Sequence, residues 1–146
     1  EITYSDYAEL EDVYITPSKG SLKRNVNPSS IDYTFGEAYF SCVNFAEVKG
    51  WKKHQEMILN LVVPIGVIKF VAYDGRKNSN TYKNFFDVTI SKDNYCRLTI
   101  PPGVWLSFQG IGKGLNLLLN IASIEHNPNE SINCDISEIK YNWDIT

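Results

Sequence analysis

The sequence predicts an all-β fold, a sandwich or a jelly-roll barrel, on three observations. Short runs rich in Val, Ile, Phe, Tyr and Thr recur about every 8–15 residues, separated by Gly, Asn, Asp, Pro and Ser. No segment carries a convincing helical face beyond a turn around Asp6–Asp12. Ile100-Pro101-Pro102-Gly103 breaks an apolar stretch with two prolines, each of which removes a ladder donor and fixes φ. That run therefore marks a sharp, rigid corner, of the kind found at the mouths of barrels, where small ligands bind.

The elements follow in chain order. Strands are expected near Val13–Thr16, Ala38–Asn44, Met57–Val63 and Val67–Tyr73, with Pro64-Ile65-Gly66 as a tight turn between the last two. Further strands are expected near Phe85–Ser91, Cys96–Ile100, Trp105–Phe108, Leu115–Ser123 and Ile139–Asn142. Asp74–Thr81 and Lys92-Asp93-Asn94 have the composition of loops, and Lys19–Ser30 is a polar connection or arm. No internal repeat, low-complexity segment or domain boundary interrupts the 146 residues. They are expected to form one domain, with residues 1–34 as an N-terminal strand and arm.

Composition narrows the function. With 43% hydrophobic residues the chain can bury a full core. A net charge of −3 disfavours nucleic acid as a partner, since phosphate binding requires a basic surface. The longest apolar run, Leu61–Gly66, is far short of the roughly 20 residues that span a membrane. Cys42, Cys96 and Cys134 are odd in number and widely spaced, which fits buried free thiols in a reducing cytoplasm better than disulfides or a metal site. No secretory leader pattern is present, so a cytoplasmic location is expected.

The densest polar constellation is Val48–Glu56, VKGWKKHQE. In an extended segment Lys52 and His54 share one face with Gly50, while Lys49, Trp51 and Lys53 share the other. If the first face is the barrel interior, an ammonium and an imidazole occupy one enclosed space. That suits an acid/base pair or a clamp on an anionic ligand; the bland alternative is a solvated basic strand end. Asn60 and Asn120 interrupt apolar strands and either bond to neighbouring backbone or point at a ligand. His126 lies in a turn, and Asp135 or Glu138 is a candidate carboxylate to orient His54. Gly110, Gly112 and Gly114 open no helix and read as an ordinary turn.

Several of these runs resemble one family. Lys49-Gly50-Trp51-Lys52 lies where the cupin dTDP-4-dehydrorhamnose 3,5-epimerases carry Arg-Gly-x-His. Gly66–Arg76 is similar to their GEVxDVAVDxR strand, and Ile100–Phe108, IPPGVWLSF, to their IPPGFAHGF. His126–Glu130, HNPNE, parallels their Tyr-x-Pro-x-x-Glu, one residue shorter. Lys52-x-His54 also lies where the related 3,4-ketoisomerases carry HxHK. The resemblance covers roughly Phe35–Trp143 and is nearest to the divergent, epimerase-related branch.

It implies a cupin jelly roll (a double-stranded β-helix), usually homodimeric. It implies proton removal next to the C4 ketone of a nucleotide-linked 4-keto-6-deoxysugar in surface-polysaccharide synthesis, without metal or redox cofactor. The expected acid/base residues are Lys52 and His54, with Asp135 as the carboxylate partner. Lys49 and Arg97 are expected to meet the diphosphate, and Asn60, Trp105 and Asn120 to line the sugar pocket. The family's base falls on Lys52, its second-motif His on Leu106, and its Tyr near Asn120. A non-catalytic sugar-nucleotide binding module therefore stays open as the alternative. With only two histidines, the three-His cupin metal site is not expected.

Overall fold

The computed structural model describes residues 9–17 and 35–145. They contain ten β-strands and no helix. The strands are β1 (Tyr14–Pro17), β2 (Glu37–Cys42), β3 (Val48–His54), β4 (Leu59–Ile65), β5 (Ile68–Asp74), β6 (Phe85–Ile90), β7 (Cys96–Ile100), β8 (Val104–Gly110), β9 (Leu117–Ala122) and β10 (Ser131–Asn133). They form two five-stranded antiparallel sheets, ordered β1-β7-β4-β9-β2 and β10-β3-β8-β5-β6. The expected all-β jelly roll is what the chain adopts. The Asp6–Asp12 turn falls partly, and the Lys19–Ser30 connection wholly, outside the described residues.

Strand alternation builds the core. Leu59, Leu61 and Val63 of β4, Ile68, Phe70 and Ala72 of β5, and Cys96, Leu98 and Ile100 of β7 recur at every second position and are buried between the sheets. The double-proline corner joins β7 in one sheet to β8 in the other. Gly103 adopts φ 87°, and its N–H donates to the carbonyl of His54 at 2.8 Å. The corner thus anchors the end of β3.

Three sequence expectations are corrected. Val48–His54, treated as an extended polar constellation but not placed among the strands, is an interior strand of its sheet, between β10 and β8. Pro64 and Ile65 belong to β4, where the register shifts between Val62 and Ile65, and such an irregularity accommodates a proline within a sheet. Ile139–Asn142 forms no strand. It passes over the outer face of the second sheet, where Tyr141 lies against Phe85 and Trp143 and donates its hydroxyl to Asp87 at 2.8 Å. Side-chain contacts replace the ladder there.

The Asp74–Thr81 loop is built around one buried carboxylate. Asp74 accepts from Arg76 Nε at 2.9 Å and from the Ser79 and Thr81 hydroxyls at 2.6 Å each. Burial pushes its carboxyl up, but the Arg76, Ser79 and Thr81 donors outweigh that and hold it far below the usual aspartate range.

Candidate active site

The two sheets enclose a cavity of about 350 Å³, within the range typical of small-molecule sites. Lys49, Lys52 and His54 of β3 reach it from one sheet, and Tyr39, Ser41 and Asn120 from the other. Leu59, Leu61, Leu106, Phe108 and Leu118 supply apolar walls, and Asn133 closes one side beside Lys52.

A bulge in β3 decides which lysines enter. Lys49 pairs with Phe108 and Lys52 with Leu106, so three steps on β3 match two on β8. One extra residue is absorbed, and Lys49 shares the interior face with Lys52. The alternation expected from the sequence had placed Lys49 on the opposite face. Gly50 makes the bulge feasible: its φ is 130°, and a Cβ there would lie 2.7 Å from Ser107 Oγ. The fully buried Ser107 donates to the Lys49 carbonyl at 2.7 Å, which satisfies the interrupted ladder. Trp51 faces outward under the C-terminal segment, its indole N–H donating to the Ile136 carbonyl and its ring lying 6.0 Å from that of Trp143.

His54 has a partner that differs from the expected one. Its Nδ1 is hydrogen-bonded to the carboxylate of Glu130, and both side chains are almost buried. Glu130 also accepts the backbone N–H groups of Gln55, Glu56 and Met57, each at 3.2 Å. Burial raises the Glu130 carboxyl, but the hydrogen bonds from His54 and from the Glu56 and Met57 backbone prevail, so its pKa lies below the ordinary value. The pair forms because Ser131, next to Glu130, lies opposite His54 in the β10–β3 ladder. Nδ1–H directed at a carboxylate leaves Nε2 as the basic nitrogen.

Asp135, expected to orient His54, is exposed and accepts instead from the backbone and hydroxyl of Ser137. Its position after β10, within a local turn, carries it away from β3; Glu130 takes the role. Three other expected residues stand outside the cavity. Asn60 lies between Leu59 and Leu61, which line it, so alternation turns Asn60 to the other face, where its Oδ1 accepts from Thr99. Arg97 is flanked by core residues Cys96 and Leu98 and likewise faces outward. Trp105, next to Leu106, lies under Lys53 at 4.8 Å. Lys49, Lys52, His54 and Asn120 are brought together as expected.

Glu130, Tyr39 and Ser41 were not singled out from the sequence. Glu130 closes the HNPNE run, and Tyr39 and Ser41 share one face of β2 by simple alternation.

Two facing antiparallel sheets, with an oriented imidazole and two ammonium groups lining the cavity between them, define a cupin-type pocket. No protein-family model matches the sequence. A structure of a dTDP sugar isomerase from Desulfovibrio desulfuricans superposes with a TM-score of 0.81 at 34% identity, over 94% of each chain. A dTDP-4-dehydrorhamnose 3,5-epimerase from Elizabethkingia anophelis gives a TM-score of 0.79 over 96% of this chain and 85% of its own, at 16% identity, and so supports the fold alone. A Haloferax volcanii protein described as a probable low-salt glycan biosynthesis epimerase is 32% identical over 84 residues, 57% of this chain. The matched region spans about half that relative's length, 54%. The chain belongs to the cupin sugar-nucleotide epimerase and isomerase superfamily.

Proposed function

We propose that this chain removes a proton next to the C4 ketone of a nucleotide-linked 4-keto-6-deoxysugar, in surface-polysaccharide synthesis. The observation that carries this reading is the His54–Glu130 pair, whose imidazole lines the cavity. Glu130 holds the imidazole with Nε2 basic, and Nε2 takes the proton. The enolate that results carries its charge on oxygen, and the Lys52 ammonium is the cavity cation that stabilises it. Lys49, half exposed and donating to the Cys42 carbonyl at 2.6 Å, stands where a diphosphate could approach from solvent. Leu106, paired with Lys52 in the β3–β8 ladder, is apolar where the epimerase motif has a His. Catalysis here therefore rests on a single imidazole–carboxylate pair.

The test is solvent exchange. In D2O the protein should introduce deuterium next to the ketone of a dTDP-4-keto-6-deoxyhexose, read by mass spectrometry. Binding of that nucleotide sugar without exchange would favour a non-catalytic binding module, a reading suggested by Lys52 and Leu106 in place of two histidines.

The same reading includes a homodimer in a reducing cytoplasm. Phe40, Leu119 and Val62 are cross-strand neighbours on the outer face of the first sheet, beside Ala38 and Ile121, and Phe40 is 62% exposed. A contiguous apolar patch of this kind marks an interaction surface. Light scattering should return twice the 16.6 kDa chain mass; a monomer at micromolar concentration would remove the dimer from this account. Three free thiols, at Cys42, Cys96 and Cys134, support the compartment.

A further inference from the structure

Asn120 of β9 stands between Tyr39 of β2 and Leu61 of β4 in the first sheet, on the face that lines the cavity across from β3. It is 3% exposed, and its Nδ2 donates to Tyr39 Oη at 2.9 Å. Its Oδ1 is buried and has no hydrogen-bond partner among the described residues. Leu61 and Leu118, its neighbours on that face, offer no donor. A buried amide oxygen left bare is costly, so a donor from the cavity is expected to complete it. Tyr39 Oη, which accepts from Asn120, keeps its own O–H to give. Side by side, the two residues thus present one acceptor and one donor. A hydroxyl satisfies both at once, since it donates one hydrogen and accepts another. A ketone only accepts, and a CH2 group does neither.

We infer that Asn120 and Tyr39 form a hydroxyl-reading site, which selects sugars that carry a secondary ring hydroxyl at the wall across from β3. This rests on the nucleotide-sugar reading of the cavity and not on His54 being the base. A ketone has no hydrogen to give Asn120 Oδ1, so it is left to the Lys52 ammonium on the other wall. The rest of the Asn120 wall is Leu59, Leu61 and Leu118, so one polar pair carries the selectivity. A sugar without that hydroxyl expels water and leaves Oδ1 bare, which is the source of the discrimination.

Calorimetry on the His54→Gln protein, in which a bound sugar is not converted, tests this through binding alone. The ligands are dTDP-4-keto-6-deoxyglucose and its 2-deoxy and 3-deoxy counterparts. One of the two deoxy sugars should bind about 10–100-fold more weakly than the parent. Adding Asn120→Leu should bring the parent down to the level of that deoxy sugar, whose own affinity stays unchanged. Leu is close to Asn in size and suits a row with Leu61 and Leu118, so the variant should fold. A merely structural defect would weaken all three ligands by one factor and keep their ratio. Equal affinity for all three, or a ratio that survives Asn120→Leu, would overturn the inference and leave the nucleotide-sugar reading in place. Failure of all three to bind would overturn both. Absence of deuterium exchange in the wild type would remove only the base.

Discussion

His54→Gln is expected to slow deuterium entry into a 4-keto nucleotide sugar by about 10²–10⁴-fold, the usual contribution of a positioned acid/base group. Gln keeps a polar side chain of similar reach beside Glu130, so the loss reports on the basic nitrogen and not on an emptied site. Nucleotide-sugar affinity should change little, since the lysines and the apolar walls remain. Circular dichroism should show the wild-type fold in the variant. Exchange at the wild-type rate would remove His54 from the mechanism, and Lys52 would then be the remaining candidate base in the cavity.

Glu130→Ala is expected to have the largest effect on stability. The carboxylate accepts from His54 and from three consecutive backbone N–H groups, and the Met57 end of that cradle is buried. Removing it leaves the buried Met57 N–H and the nearly buried His54 imidazole without their acceptor, a loss of about 2–4 kcal/mol. For a chain of this size that corresponds to a Tm lower by roughly 5–12 °C. The pH dependence has a definite sign. Because the folded-state pKa of Glu130 lies below its ordinary value, the unfolded chain binds the proton more readily. Its stabilising contribution is fully present above the usual glutamate range, about 4.3, and is lost as pH falls through the folded-state value. Denaturant melts across acid pH should therefore show a shallower dependence in Glu130→Ala than in the wild type. An unchanged Tm would show that backbone water replaces the carboxylate at no cost.

The fold was largely legible because it rests on local signals. Alternation placed most strands within about two residues, and the double proline marked the crossing between sheets. Failures occurred where tertiary contacts override period. Val48–His54 was legible as an extended segment but not as a paired interior strand, because its charges suit solvent; its polar face looks into a cavity and its Trp51 is covered by a distant segment. Ile139–Asn142 has the composition of a strand but finds aromatic partners instead of a ladder.

The sequence by itself determined the antiparallel β architecture, the rigid corner, the family and the cluster Lys52–His54, because each depends on residue type and short-range spacing. Only the tertiary structure decided which polar groups share the cavity. A one-residue bulge at Gly50 brought Lys49 inward, against simple alternation. Pairing of β10 with β3 chose Glu130 over Asp135 as the partner of His54, across 76 residues of chain. The same alternation that defines the strands turned Asn60, Arg97 and Trp105 away from the cavity. Facing and register are properties of paired strands, and a single strand's sequence does not state which neighbour it will meet.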